Sequence, residues 1–324
     1  DGRRAMLHTP RLASAKKWAT RPQMFKDRHA QCSSGKLAVC ITGQLSRLEV
    51  KSKVSRLLSM LASDRGRSPQ DVKVFIVMEL NSDHYVNKKS VVSKDRNCHT
   101  DFHKPEDVAD ALSPYYASGV YMEHRDFTPD PDKWPKYGSA AAGNLNWHSS
   151  VDQGMRLSGH FHQWSHFRSC AQLMEKEENR TNCTFEGMLR IRDNTVVTAP
   201  TMLQRSASVL VKDCAEWGGL NDKVLYAPRP YIDPAFKAQI SVATLVEQGH
   251  PAMLKLVSDV KNSEQMLQMV LDMFLVPVKP SSDALLALVD GRCMGVKNSS
   301  TSANSALRQW CTVPEWKDCR PKDK

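Results

Sequence analysis

The chain predicts an α/β fold of Rossmann type on a mostly parallel sheet, and three stretches of sequence predict it. Lys36-Leu-Ala-Val-Cys-Ile-Thr is a short apolar run ended by Gly43, and Val72-Lys-Val-Phe-Ile-Val-Met is a second. Between them apolar residues recur at 54, 57, 58 and 61, a helical spacing. Continuous apolar runs of this length suit strands buried on both faces. Strand, helix and strand within about 45 residues suit a crossover joining parallel strands.

The remaining elements follow in order. A helix is expected over 45–61, directly after Gly43. Residues 81–104 are polar and read as loop. A short helix is expected over 105–112 and a strand over 119–123. Residues 126–150 are rich in Pro, Gly, Asp and Asn, and predict a long loop, a length usually reserved for function or mobility. A helix is expected over 160–178, then a strand over 188–192 running into Asp193-Asn194. Short strands are expected at 196–198, 208–211 and 224–227. Asn262 caps an apolar helix that holds Met266, Leu267, Met269, Val270 and Phe274, and Val276-Pro-Val follows. The helix-spaced methionines 266, 269 and 273 read as core. No internal repeat is present.

Charge divides the chain. Residues 1–60 hold thirteen Lys and Arg against three acids, Asp1, Asp27 and Glu49, which accounts for the whole net charge of +10. Nucleic-acid binding calls for a basic face across the folded domain, so no nucleic-acid partner is expected. Three regions result: a basic stem or disordered arm over 1–34, an α/β domain over 35–290, and a Cys-containing tail over 291–324 packed on it. Nine cysteines (32, 40, 98, 170, 183, 214, 293, 311 and 319) include no C-x-x-C pair, which argues against a zinc ribbon or a thioredoxin-like site. Sequons stand at Asn179, Asn182 and Asn298. Cysteines and sequons together favour an oxidising lumen. Cys311–Cys319 or Cys293–Cys311 is the expected local bridge. No apolar run of 18 residues occurs. A membrane link is expected only through a signal anchor upstream of Asp1, outside this chain.

Chemistry can sit in three segments. In Gly43-Gln44-Leu45-Ser46-Arg47, Gly43 lets a backbone approach a ligand beyond the strand's carboxyl end. Ser46 and a following helix N-terminus offer donors to phosphate, and Arg47 can clamp it. A plain βα turn with a solvated Arg is the alternative. The segment lacks the G-x-G-x-x-G of dinucleotide sites. In Arg190-Ile-Arg192-Asp193-Asn194, strand alternation sets both arginines on one face. Such a pair is costly to bury without anions, which a metal diphosphate supplies. Asp193, at the strand end, can take Mg²⁺ or Mn²⁺ through oxygen. A structural Arg–Asp network is the alternative. In Trp217-Gly-Gly-Leu-Asn221-Asp222-Lys223, Trp217 offers a platform for a sugar face. Asp222 suits a general base or a second metal ligand. A turn formed by Asn221 and Asp222 is the alternative. His160, His162 and His166 lack the H-E-x-x-H order, and Cys98-His99 with His103 reads as loop.

Taken in order, these segments resemble an uncharacterised group of glycosyltransferase-like proteins of algae, other protists and bacterial polysaccharide loci. The resemblance lies in Cys40-Ile-Thr-Gly-Gln-Leu-Ser-Arg-Leu-Glu49 with Ser52-Lys53, Gln163-Trp164 leading through Cys170 to Glu177, Glu186 to Asn194, Trp217 to Lys223, and Ser263-Glu264. It spans about residues 36–275. It implies a GT-A-like three-layer α/β/α sandwich. It also implies a hexosyltransferase-like enzyme moving sugar from a nucleotide-sugar donor to a glycan or glycoprotein acceptor in the secretory pathway, in the Golgi lumen. In that picture Asp193 holds the ribose or, with Asn194, Mn²⁺ or Mg²⁺, and Arg190 and Arg192 face the diphosphate. Gly43, Gln44 and Arg47 flank the nucleotide, while Trp217 and Asn221 bind substrate and Asp222 serves as base if the reaction inverts or positions the acceptor if it retains, a choice the residues leave open. One departure stands out: Asn194 and Thr195 follow Asp193, so the second carboxylate of an Asp-x-Asp motif is absent. That departure favours the competing reading, a non-catalytic relative that binds glycans or nucleotide sugars. A sulfotransferase or methyltransferase is a further alternative, which the Gly43–Arg47 turn fits loosely or not at all.

Overall fold

Alternation of side chains along two buried strands sets the architecture. The computed structural model describes residues 30–31, 35–45, 48–64, 67–80, 104–123, 129–137, 150–197, 200, 203, 206–212, 219–281, 288–293 and 310–312. In chain order its strands are β1 (Ala30–Gln31), β2 (Leu37–Gln44), β3 (Val72–Glu79), β4 (Tyr116–Met122), β5 (Cys183–Thr184), β6 (Gly187–Arg192), β7 (Thr195–Val197), β8 (Val209–Lys212), β9 (Leu225–Pro228), β10 (Val278–Ser281), β11 (Leu288–Cys293) and β12 (Trp310–Thr312). The helices are α1 (Lys51–Lys53), continued through a π turn into α2 (Ser59–Ser63), then α3 (Pro105–Leu112), α4 (Ser150–Thr181), α5 (Ala238–Glu247), α6 (Pro251–Val257) and α7 (Ser263–Met273).

Seven strands form the main sheet in the order β10-β8-β9-β6-β2-β3-β4. All run parallel except β9, which is antiparallel to both β6 and β8. The α/β class and the mostly parallel sheet are thus as expected. From β2 the chain builds outward through β3 and β4, then returns to β6 on β2's other side. The strand order therefore reverses between β2 and β6, and ligands of open α/β sheets bind in the crevice beyond the carboxyl ends at such a point.

Leu37, Val39 and Ile41 of β2, with Val74, Ile76 and Met78 of β3, pack against Leu57, Leu58 and Leu61 on one face. Val108 and Leu112 of α3 join that cluster. Ala38, Cys40, Phe75 and Val77 pack on the other face against Phe167, Ala171 and Met174 of α4 and Leu267 and Leu271 of α7. A third cluster gathers Trp134 and Tyr137 around Leu157, Phe161 and Trp164 of α4 and residues of α5 and α6.

Several elements depart from the sequence expectation. The first helix starts at Lys51, because 48–50 pack instead on the turn after β6: Glu49 N–H donates to Asp193 O at 3.0 Å. The Glu49 carboxylate then takes the Ser52 N–H at 2.7 Å and the Ser52 hydroxyl at 2.6 Å. Helix α4 begins ten residues before 160, and α5 and α6 were not anticipated. Two short sheets carry the flanking regions. β1, within the expected arm, runs parallel to β5, and β12-β11-β7 tie part of the tail to the domain. The remainder of the arm and tail, Cys319 included, and loop 81–103 lie outside the described residues. Cys293 and Cys311 stand on the paired strands β11 and β12, and the side chains that would form the expected bridges are outside the described part of the structure.

A disulfide that spacing did not suggest joins Cys40 of β2 to Cys170 of α4, with Cα atoms 6.0 Å apart and 130 residues between them. Cys183 is disulfide-bonded as well. A bridge closing so long a loop removes much unfolded-chain entropy. Replacing both Cys40 and Cys170 by Ala is expected to cost about 2–4 kcal/mol, seen in calorimetry as a melting temperature lower by roughly 5–15 °C.

Candidate active site

The carboxyl ends of β2 and β6 are bound to each other by a buried lysine. Lys53 is wholly buried, and its ammonium donates to the backbone oxygens of Glu49, Asp193 and Thr195, the Asp193 contact at 2.8 Å. The Glu49 carboxylate stands 3.6 Å away. Three acceptors match the three N–H donors of an ammonium, which is what makes its burial tolerable. Ser52 adds a fourth tie, its hydroxyl accepting from Val197 N at 2.9 Å.

Asp193 plugs the end of β2. It has no exposed surface; its N–H donates to Thr42 O at 2.8 Å, and its Oδ2 accepts from Gln44 N at 2.9 Å. Gly43 has φ +141°, and a Cβ there would lie 2.3 Å from Asp193 Cγ. Gly43 is therefore required by the fold itself, in addition to any ligand approach. Asn194 is buried beside Asp193. Ser46 and Arg47 lie outside the described residues. Among the described residues the α-helix begins later than expected, at Lys51, and its Ser52 N–H is taken by Glu49.

The two arginines part company. Arg190, 1% exposed, donates from Nε to Thr42 Oγ1 at 3.0 Å and from Nη1 to Asp222 O, with its Cζ 4.4 Å from the Phe167 ring centroid. Its guanidinium is a bracket between β2, α4 and the 221–223 turn. Arg192 is half-buried at the strand end and lies within electrostatic reach of Asp222, Glu264 and His160.

That turn carries the acids. Gly219 packs directly on the start of α7, where a Cβ would lie 2.3 Å from Glu264 C, and Leu220 N donates to Glu264 O at 3.1 Å. Asn221 Oδ1 accepts from Lys223 N at 2.9 Å, the turn-forming role weighed for it above. Asp222 is 4% exposed; its Oδ2 accepts from Gln163 Nε2 at 2.6 Å and from the Ser263 hydroxyl. Asn262 caps α7, as expected, by accepting from Gln265 N at 2.8 Å. Trp217 and Gly218 lie outside the described residues.

Two carboxyls with opposite tendencies result. Burial pushes Asp222 up, but Arg190, Arg192 and the Ser263 hydroxyl outweigh it and hold the carboxyl below the usual range. Burial and the neighbouring Asp222 charge push Glu264 up to about 8, against the pull of its own backbone N–H, Lys223 and Arg192. Burial pushes His160 down to about 4, with Arg156 and Arg192 adding to the effect, so it is neutral at pH 7 beside the Tyr137 hydroxyl. Environments that drive paired acids apart are those that divide acid and base roles.

Gln163, Ser263 and Glu264 fall in the quoted segments, yet sequence reasoning gave them no role. The signal was available in the cap: Asn262 sets Ser263-Glu264 in the first turn of a helix, beside whatever loop packs there. Farther along the same edge, His162 and His166 flank Glu79 Oε1 at 3.6 and 3.5 Å. Among the described residues no three His, Cys, Asp or Glu side chains are arranged to hold a metal ion.

No protein-family description matches the chain, and no curated protein matches it in sequence. Among solved structures, mouse xyloside xylosyltransferase 1 in its apo form aligns with TM-score 0.33 and 9% identity, over 76% of this chain and 84% of that one. The site is accordingly read from its own chemistry.

Gly43→Ala is expected to cost about 2–4 kcal/mol in urea unfolding, from backbone strain and the displaced Asp193 carboxylate. Glu264 makes stability depend on pH. Its folded value is raised from about 4.5 to about 8, so its contribution is full below 4.5 and is lost as pH climbs to 8. Glu264→Gln removes that loss, and the melting temperature of the variant relative to the parent should rise between pH 5 and 8.

Proposed function

We propose that this chain is a glycosyltransferase of GT-A-like, three-layer architecture. It moves a sugar from a nucleotide-diphosphate donor to a glycan or glycoprotein acceptor in the lumen of the secretory pathway, the Golgi included. One observation supports this reading above the others. Five segments scattered from residue 40 to residue 264 meet at the carboxyl edge of β2 and β6, and they bring Arg192, Asp222 and Glu264 into one electrostatic unit. Those are the segments on which the sequence resembles glycosyltransferase-like proteins. A lumenal setting agrees with the Cys40–Cys170 bridge. No helix among the described residues is long and apolar enough to cross a membrane.

In this mechanism the donor diphosphate lies over the crevice between β2 and β6. Arg192, at the strand end, meets the charge that grows on the leaving group, with Lys223 nearby in the turn. Arg190 acts one step back by fixing Asp222 and the strand. The acceptor enters beside Asp222 and Glu264.

Mn²⁺ or Mg²⁺ at Asp193 and Asn194 fits the residues poorly. Hard cations want several converging oxygens. Asp193 is fully enclosed under Gly43 and already accepts the Gln44 N–H. No step is routed through an ion at this position. The same enclosure favours the second reading, a relative that binds nucleotide sugars or glycans without turning them over.

A thermal-shift screen of nucleotide sugars, with and without Mn²⁺, finds the donor through the stability that a bound ligand adds. Release of nucleoside diphosphate from that donor then separates enzyme from binder. Arg192→Ala is expected to weaken donor binding by about 10- to 100-fold, the loss of a charge-assisted contact to phosphate, measured by calorimetric titration with nucleoside diphosphate. Unchanged affinity would remove Arg192 from the donor site.

A further inference from the structure

We propose that Asn182, at the corner between α4 and β5, is an N-glycosylation site, and that the overlapping sequon at Asn179 stays bare. This rests on the lumenal part of the reading above and adds a modification to it.

The two sequons overlap in Asn179-Arg-Thr-Asn-Cys-Thr184, and the fold treats them differently. Both asparagines are exposed, so burial excludes neither. Asn179 stands in the last turn of α4. Residues two apart on a helix do not face each other, so Asn179 and Thr181 point apart. The Thr181 hydroxyl donates to Glu177 O at 2.8 Å. Arg180, between the two, holds the Glu177 carboxylate through Nε and Nη2, each at 2.7 Å. These contacts lie within four residues of one another, so they form as soon as the helix does. Sequon chemistry needs the asparagine amide and the hydroxyl two residues on at one place. At Asn179 that means unwinding this turn.

Asn182 lies just past the helix. Its φ is +50°, a left-handed conformation that Asn tolerates and that commonly ends a helix. Cys183 and Thr184 are then extended in β5, which pairs with β1. This sequon is a surface turn running into a strand, with no helical turn to unwind. Its middle residue, Cys183, is half-buried and disulfide-bonded while Asn182 is exposed, so the finished fold holds the bridge and leaves room for a glycan. The third sequon, at Asn298, lies outside the described residues.

The corner also suits a bulky group. Helix α4 runs from the carboxyl edge of the sheet, where Gln163 donates to Asp222, to the amino edge. There Phe185 N donates to Glu178 Oε1, and Glu186 N donates to Lys36 O just before β2. From Gln163 to Thr181 the helix advances about 27 Å. A glycan on Asn182 therefore hangs from the edge opposite Asp222 and leaves the candidate site open to substrates.

The step balances as an N-glycoside transfer. Asn182 Nδ2 forms a bond to the anomeric carbon of an oligosaccharide carried on a lipid diphosphate. The bond from that carbon to the diphosphate oxygen breaks, and the lipid diphosphate leaves with the electron pair. One amide proton passes to a base of the host's transfer enzyme.

The test expresses the full chain behind a cleavable signal peptide in eukaryotic cells. Purified protein is treated with peptide N-glycosidase in heavy-oxygen water, which labels each asparagine that carried a glycan. Non-reducing peptide mapping by mass spectrometry follows; trypsin cleaves after Arg180 and so separates the two asparagines. Label is expected at Asn182 and not at Asn179. Asn182→Gln and Thr184→Val should each lose one glycan's shift on a gel, and Thr181→Val should lose none. Thr184→Val keeps the left-handed Asn182 and a β-branched strand residue, so it reports on the sequon even where Asn182→Gln folds badly. Label at Asn179, alone or beside Asn182, overturns the proposal. So does an unlabelled Asn182 in protein whose Cys40–Cys170 bridge has formed. Secreted protein with thiols at Cys40 and Cys170 rejects the lumenal reading itself, and this assignment falls with it.

Discussion

One ammonium group organises the carboxyl edge of the sheet. Lys53 reaches from the first helix into three backbone oxygens, two of them in the turn after β6, and it does so with no exposed surface. Desolvating an ammonium costs several kcal/mol unless each N–H is matched. Here each is, so the position of the 193–195 turn is dictated by where Lys53 can be satisfied. Asp193 follows from that placement. Its carboxylate falls beneath Gly43, closes the end of β2, and takes the N–H of Gln44. The turn that closes the end of β2 thus takes its place from a lysine that never meets solvent.

From that fixed edge, charge is passed sideways. Arg190 bridges Thr42 of β2 and the backbone of Asp222, and lies over Phe167 of α4. Asp222 in turn gathers Gln163 from α4 and Ser263 from α7. Sheet, two helices and one turn are joined through polar contacts buried enough to be strong and matched enough to be affordable. Glu264 and Arg192 stand half-buried at the rim of this network, within reach of its charges.

The sequence disclosed the strands well, because β2, β3, β6 and β9 are buried on both faces and read as apolar runs. It disclosed α3 and α7 through a Pro start and an Asn cap. It misplaced the start of the first helix because Glu49 and Lys53 serve the turn after β6, a contact some 140 residues away in the chain that no local pattern reports. Helices α5 and α6 were overlooked for a similar reason: α5 is apolar over most of its surface and lacks the one-sided stripe that marks a surface helix. At the site, spacing found the right segments and misjudged individual roles. Alternation put Arg190 and Arg192 on one face, but only packing shows that the first is enclosed by Thr42, Phe167 and Asp222. Likewise Asn221 and Gly219 serve the turn and its close approach to α7.

The Cys40–Cys170 link has a practical side. It fastens β2 two residues before Thr42, and α4 two turns beyond Gln163, so both partners of the polar network hang from one covalent staple. Material made in a reducing cytoplasm will contain the thiol form, in which the long helix is held against the sheet by packing and polar contacts, without a covalent tie. Silent assays on such preparations would reflect the redox history of the sample, and the oxidation state of these two sulfurs belongs on the label of any batch whose activity is judged.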